Sequence, residues 1–307
     1  MNQSSETSSK TSPGQRFRDE IARGELAIPG VFNALVARLA QRAGFRAAYQ
    51  SGAALSASLA ALPDVGLITQ TEFASQGAYL ARAVDIPVIS DADTGFGEPL
   101  AVERTVRLFE EAGLAGLHLE DQELPKRCGH LSGKSVVSRD AMVAKLRAAV
   151  AARRDPSFVL IARTDARAVN GFDEAVDRAK AYVDAGADMI FPEALETLAE
   201  FERFAKQVPV PLIANMTEFG KSPLLSVREL SAMGYGAVLF PVSMMRVAMK
   251  AVENALGRLA TEGSQKSFVG EMQTRAELYD LLGYTGFEAR DQVYFSSPSQ
   301  SPSPLAP

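Results

Sequence analysis

Hydrophobic and polar positions alternate along this chain in two patterns. Short, nearly unbroken apolar runs recur at Phe45–Gln50, Ile86–Ser90, Gly116–Leu119, Phe158–Ala162, Met189–Phe191, Leu212–Ala214 and Ala237–Phe240. An eighth run, Leu26–Val31, is weaker because Pro29 and Gly30 interrupt it. Runs this short and continuous suit strands covered on both faces, as in a parallel sheet wrapped by helices. Longer stretches of helical period lie between them. Ser138-Arg139-Asp140 introduces an amphipathic run to Arg154, Asp173-Glu174 opens one that stops at Asp184-Ala185-Gly186, and Thr71-Glu72 precedes one ending near Val84. The step from helix to strand repeats as Arg42-Ala43-Gly44, Glu111-Ala112-Gly113 and Asp184-Ala185-Gly186, with glycine as the left-handed residue that ends the helix. Seven or eight such units without a long linker predict an α/β fold, a single (β/α)8 TIM-type barrel over residues 16–295. No Gly-x-Gly-x-x-Gly follows the first strand, which counts against a dinucleotide fold. Met272–Leu282 predicts an extra helix after the eighth unit, suited to packing on a neighbouring subunit. The Ser-rich stretch 1–15 and the Ser/Pro-rich stretch 296–307 read as disordered tails.

Composition narrows the function. The 307 residues are 47% hydrophobic and 22% charged, the balance of a globular chain with a sizeable core. Lys and Arg number 32 against 37 Asp and Glu, a net charge of −5, so neither nucleic acid nor an anionic membrane is an expected partner. Any anionic ligand must be held by local arginines or by a metal. One cysteine and two histidines exclude a disulfide framework and a Cys/His zinc cage. With no apolar leader and no long uncharged apolar span, a cytoplasmic protein is expected.

In a barrel the chemistry belongs at the C-terminal ends of the strands, and almost every predicted strand here ends in polar groups. They are Tyr49 and Ser51-Gly52, then Asp91 and Asp93, Glu120-Asp121, Arg163-Thr164-Asp165, Glu193, Asn215 with Thr217, and Ser243 with Arg246. Early carboxylates and late Arg, Asn and Thr suggest a metal beside an anion site. Asp91 and Asp93, at i and i+2, fall on one side of an extended chain and suit an octahedral Mg2+ that keeps several waters; capping of the Thr94-Gly95 turn is the plainer alternative. Lys126-Arg127-Cys128-Gly129-His130 sets the thiol among cationic neighbours, which favours thiolate and proton exchange, although a lone cysteine is also an ordinary core filler. His118, between Leu117 and Leu119, reads as a core histidine. Arg163, Arg246 and Arg275 are able to fork onto carboxylates; on its own terms Arg275 reads as a surface charge.

The strings SDADTGFGE, GLHLEDQELPKRCGHLSGK, ARTDARAV, DMIFPEAL, LIANMTEFGKSP and QKSFVGEMQTRAELYDLLGY resemble the isocitrate lyase / phosphoenolpyruvate mutase superfamily, and within it the 2-methylisocitrate lyase branch. The resemblance runs from about Phe17 to Tyr294, and the Cys-Gly-His loop is specific to the lyase side. It implies a (β/α)8 barrel with a helix swapped between subunits of a homotetramer. It implies Mg2+, or Mn2+ in its place, and a retro-Claisen-type cleavage of a small tricarboxylate, 2-methylisocitrate, to pyruvate and succinate in propionate breakdown. By the same resemblance Asp91 and Asp93 fall on the metal-binding aspartates and Cys128 on the catalytic thiol, with Gly129 touching substrate. Ser51, Gly52, Ala53, Arg163, Glu193, Asn215, Met216, Thr217, Arg246 and Arg275 match substrate-binding positions. Ala53 stands where the family often has Gly, and Met216 where a β-branched residue is common. Tyr49 is one candidate for the base that takes the substrate's hydroxyl proton. Isocitrate lyase, a 2,3-dimethylmalate lyase, an oxaloacetate decarboxylase and a non-catalytic metabolite binder are the competing readings.

Overall fold

The computed structural model describes residues 11–127, 129–130 and 133–296. These form a first compact unit up to Ala248 and a second from Met249 onward. In the first, α1 (Pro13–Arg23) leads into β1 (Leu26–Pro29), α2 (Ala34–Arg42), β2 (Ala48–Gln50), α3 (Gly52–Ala60), α4 (Gln70–Ala83), β3 (Val88–Asp91) and α5 (Pro99–Glu111). Then follow β4 (Gly116–Glu120), α6 (Arg139–Ala152), β5 (Val159–Thr164), α7 (Ala166–Asn170), α8 (Phe172–Asp184), β6 (Met189–Pro192), α9 (Leu198–Gln207), β7 (Leu212–Asn215), α10 (Val227–Ala232) and β8 (Tyr235–Phe240). All eight strands are parallel, in the order β1-β8-β7-β6-β5-β4-β3-β2. The ring is drawn together between β1 and β2 by a parallel bridge from Gly30 to Tyr49 and by the Val31 N–H on the Tyr49 carbonyl at 2.8 Å. All eight predicted strands are present, including the interrupted first one.

Strand parity sorts the side chains into two layers. Leu26, Ile28, Ile89, Val159, Ile161 and Leu239 point into the barrel. Their alternates, such as Val88, Leu117, Leu160, Ile190 and Val238, pack outward under the helices. Phe17 of α1 is fully buried in the inner cluster, and Arg18 holds the Ser157 carbonyl just before β5, so α1 stops the barrel at its N-terminal end. Burying a phenyl ring this completely contributes about 2–3 kcal/mol. The helix begins at Pro13 with Ser12 as its cap, inside the stretch expected to be tail.

Helix ends follow the predicted chemistry with two shifts. Ser138 caps α6, and Gly44, Gly113 and Gly186 take left-handed φ values of 88°, 83° and 103° after α2, α5 and α8. The cap of α4 is Thr69 rather than Thr71, because Thr69 closes a capping box with Glu72. In the second unit α11 (Ser243–Glu262), which starts before Met249, is followed by a 3-10 turn (Lys266–Glu271), α12 (Arg275–Leu282) and α13 (Tyr284–Ser296). The predicted Met272–Leu282 helix starts three residues later, where Thr274 and Glu277 form another capping box. Among the described residues no helix is long and apolar enough to cross a membrane.

Candidate active site

The inward parity that fills the barrel with Ile89, Ile161 and Met189 lower down delivers polar side chains at the C-terminal ends of the strands. Tyr49, Asp91, His118, Glu120, Arg163 and Asn215 are successive inward positions of β2, β3, β4, β5 and β7, with Glu193 directly after β6. They surround a cavity of about 550 Å³, counting the open space at its mouth. Tyr49, Ser51, Ala53, Asp91, Gly129, Arg163, Glu193, Asn215, Thr217 and Arg246 line it, as do Asp64, His130, Phe191, Leu239, Pro241 and Val242. Three other predicted residues stand behind the wall or beside it. The Gly52 N–H, first in α3, donates to Asp91 Oδ2 at 3.1 Å. Asp93 is buried next to Asp91, and the Met216 side chain lies in the outer core with its sulfur accepting from the Leu225 N–H. Arg275 opens α12 in the second unit and is exposed. Cys128 lies outside the described residues.

One side of the cavity is acidic. Asp91 ends β3, and the chain then turns instead of staying extended: Asp93 has φ 45°, and its N–H donates to Asp91 Oδ1 at 2.9 Å. The expected alternation along an extended strand is therefore not what joins the two carboxylates; a left-handed aspartate does so, a conformation that Asp tolerates better than most residues. Lys126 Nζ pairs with both Asp93 and Asp64. Burial, helped by the charge of Asp91, still pushes the Asp93 carboxyl up to about 7 against the pull of Lys126. Burial likewise raises Glu120 well above the carboxylate range, against Arg163 and Lys126. Both Glu120 oxygens are buried without a hydrogen bond among the described residues, Arg163 Nη1 coming only to 3.4 Å of Oε2. Carboxylates crowded in this way are short of positive charge. Among the described residues no three His, Cys, Asp or Glu side chains converge closely enough to cage an ion. The orphaned Glu120 oxygens beside Asp91 and Asp93 are all-oxygen donors of the kind a hard divalent cation takes.

The other side is cationic. Arg163 is clamped by Asp165, Nε on Oδ2 at 2.9 Å and Nη2 on Oδ1 at 3.2 Å, and stacks over Phe191. Burial works against the charge of Glu193, but Arg163, His130 and Lys134 outweigh it and hold its carboxyl at about 2. Asn215 Nδ2 donates to Glu193 at 3.2 Å. His130 Nε2 faces Glu193 Oε1 at 2.8 Å, off the line of a straight hydrogen bond, while its Nδ1 accepts the Lys221 N–H at 3.0 Å. Two glycines make room here: a Cβ on Gly220 would meet His130 Nδ1 at 2.6 Å, and one on Gly129 would meet Arg163 Nη2 and Glu193 at 2.5 Å. Arg246 stacks on Phe219 and lies 3.7 Å from Glu218, which also accepts from the Ser243 hydroxyl.

Residues that sequence reasoning passed over complete the site. His118 is buried as expected, yet its Nε2 is 2.8 Å from Tyr49 Oη and its Nδ1 faces Asp91 Oδ1 at 3.7 Å. Burial, with Arg163 and Lys126 adding to it, lowers the imidazole to about 4, so it is neutral near pH 7. Burial, then Asp91, raises the Tyr49 phenol well above its ordinary value, so Tyr49 holds its proton. Parity was the available signal for His118, which shares a strand face with Glu120. Asp64 and Lys134 carried no local signal, since their partners lie 62 and 31 residues away.

Fold and site together define a (β/α)8 enzyme whose small-molecule cavity sets crowded carboxylates opposite the buried Arg163. The model of the phosphoenolpyruvate phosphomutase family matches residues 17–260. The chain is 52% identical to a probable 2-methylisocitrate lyase of Corynebacterium glutamicum, over 97% of this chain and 98% of that one. It is also 52% identical to a 2-methylisocitrate lyase of Aeropyrum pernix, over 91% and 90%. Among solved structures, a 2,3-dimethylmalate lyase superposes with TM-score 0.87 at 33% identity, covering 96% of this chain and 99% of that one. A phosphonopyruvate hydrolase in complex with oxalate and Mg2+ superposes with TM-score 0.84 at 32% identity, covering 94% and 100%. This chain belongs to the phosphoenolpyruvate mutase/isocitrate lyase superfamily.

Proposed function

We propose that this chain is a carbon–carbon lyase that cleaves 2-methylisocitrate to pyruvate and succinate, in the cytoplasm, as a step of propionate breakdown. The observation that carries the reading is 52% identity to 2-methylisocitrate lyases over nearly the whole chain, against 33% to the 2,3-dimethylmalate lyase. The cavity supports it. Asp91 and Asp93 would hold Mg2+, or Mn2+, in part through water, with Asp64 and Glu120 alongside. The metal, when bound, supplies the positive charge that stabilises the 2-oxo acid being formed.

The protein's own groups divide the remaining work. Arg163, Arg246, Asn215 and Thr217 neutralise and orient the substrate carboxylates, with the start of α3 at Ser51, Gly52 and Ala53 as a further anchor. Glu193 holds Arg163, Asn215 and His130 in place, and the Met216 backbone completes that edge. Tyr49, held 2.8 Å from His118 Nε2, is the candidate to take the substrate hydroxyl proton in its phenolate form. The carbon–carbon bond then breaks and leaves succinate as its aci-carboxylate. Cys128, beside Gly129 in the loop, donates the proton that this carbon needs. Phe191, Leu239, Pro241 and Val242 give the cavity an apolar wall that suits a methyl substituent. Arg275 is kept as a substrate residue on its motif match, and the exposed apolar helices of the second unit suit burial in a homotetramer.

A coupled assay of pyruvate or glyoxylate release from 2-methylisocitrate, isocitrate, 2,3-dimethylmalate and oxaloacetate, with and without EDTA, tests the reading. Metal-dependent turnover should favour 2-methylisocitrate. Faster turnover of another acid would replace the substrate, and turnover of none would leave a binding protein.

A further inference from the structure

The turn that follows β3 is strained and held at each carbonyl from Ala92 to Gly95. Asp93, Gly95, Phe96 and Gly97 have φ of 45°, 90°, 59° and 145°, a left-handed run broken only at Thr94. Strain of this kind persists only where the surroundings over-determine the backbone. Here the Ala92 carbonyl accepts the Gly95 N–H at 2.8 Å, and the Asp93 carbonyl accepts the Glu120 N–H at 2.9 Å. The Gly95 carbonyl accepts the Thr105 hydroxyl at 3.1 Å. The Thr94 carbonyl, directly after Asp93, accepts Lys145 Nζ from α6 at 3.0 Å. Lys145 is the unusual member of this set. It is 5% exposed, whereas a helix lysine ordinarily carries its ammonium out to water. Among the described residues its one hydrogen bond is to that carbonyl, and no ion pair completes it. Burying a charge for one neutral acceptor is costly, and an apolar side chain of similar volume would ordinarily serve the packing as well.

We propose that Lys145 is a positioning residue for the divalent-cation site, acting through the backbone of this turn. By holding the Thr94 carbonyl it keeps Asp93 in the left-handed conformation whose N–H meets Asp91 Oδ1 at 2.9 Å. That contact sets the two carboxylates relative to one another. Lys145 touches neither carboxylate, so its loss leaves both side chains present and frees only the backbone that joins them. The metal part of this inference rests on the reading of Asp91 and Asp93 as metal residues; the backbone part does not.

Mn2+ titration of the full chain without substrate, read by the electron-spin resonance of free Mn2+, tests the first part. Hydrogen–deuterium exchange over residues 91–98 tests the second. Lys145→Met should raise the Mn2+ dissociation constant by about tenfold or more and speed exchange in that segment by about tenfold. Strands β7 and β8 should exchange as in wild type, and the thermal midpoint should hardly move, since an apolar side chain replaces a buried charge. Lys145→Arg should recover most of both losses. Wild-type exchange over 91–98 in Lys145→Met would overturn the positioning, whatever happens to the metal. Faster exchange with unaltered Mn2+ affinity would overturn its bearing on the site, and faster exchange throughout the barrel would make Lys145 an ordinary stabilising residue. Should wild type itself take up no Mn2+, the metal reading fails, and exchange alone decides whether Lys145 holds the turn. If Lys145→Met does not fold, Lys145→Gln, uncharged but polar, is read in the same way.

Discussion

Single residues here are governed by charges that burial has made dependent on one another. Glu193 shows the consequence for stability. Its folded value of about 2 lies below the ordinary 4.5, so its stabilising contribution is complete above pH 4.5 and is lost as pH falls toward 2. A gap of that size corresponds to a few kcal/mol at neutral pH. The stability difference between wild type and Glu193→Gln in urea titrations should therefore be a few kcal/mol at pH 7 and shrink steadily between pH 4.5 and 2. A difference that stays constant with pH would mean that the charge of Glu193 is not what stabilises. Cys128→Ser tests the chemistry separately, with turnover expected to fall about 10²- to 10⁴-fold while Mg2+ and pyruvate still bind; full activity would remove Cys128 as the acid. Residues of both kinds were partly legible in the sequence. Arg163 and Asn215 stood out because each follows an apolar run directly, and Glu193 because only Pro192 separates it from one. His118 did not, because its neighbours Leu117 and Leu119 are core residues, and only the inward parity it shares with Glu120 marks it as part of the site.

At the scale of elements, strands were readable because all but the first are nearly continuous apolar runs, and what they display at their ends followed from parity. How the elements meet was not readable. The start of α3 against the end of β3 is an example: the Gly52 N–H and the Asp91 carboxylate, 39 residues apart, meet at 3.1 Å. A Cβ on Gly52 would lie 2.6 Å from Asp91 Oδ2 and 3.2 Å from the ring of Phe73. Alanine is the better helix former by about 1 kcal/mol, so helix propensity and site geometry pull in opposite directions at this position. Gly52→Ala should leave the thermal midpoint within a few degrees of wild type, yet raise the Mg2+ concentration needed for half-maximal activity by about tenfold or more, as Asp91 is pushed aside. An unchanged metal requirement would show that the helix start does not set the Asp91 carboxylate. The loop from Gln122 to Val137 was legible only as a string of unusual residues, since its anchors, Asp64, Asp165 and Lys221, come from three other loops.

For the whole molecule, the net charge of −5 turned attention from polyanions, and the cavity reconciles it with an anionic substrate through two arginines, Arg163 buried and Arg246 exposed, in an acidic protein. The apolar surface of the second unit calls for a different account. Val252, Leu256 and Leu259 of α11 are 48%, 59% and 42% exposed and stand at i, i+4 and i+7, one stripe of the helix. Phe287, Val293 and Phe295 of α13 are 60%, 57% and 83% exposed. So much apolar surface on these two helices suits an interface, and a second copy of the chain is the occupant that the proposed homotetramer supplies. Light scattering on an eluting column should give wild type a multiple of the monomer mass, and Leu256→Glu combined with Phe287→Glu a smaller state that is still folded by circular dichroism. Arg275 lies in the same unit, matched to a substrate position by motif alone. If assembly brings that arginine to the substrate, the smaller state should also show a raised KM, matched by Arg275→Met in the intact oligomer. A wild-type monomer, or a dissociated variant with unaltered KM, would separate the second unit from catalysis and leave its apolar stripe to some other partner.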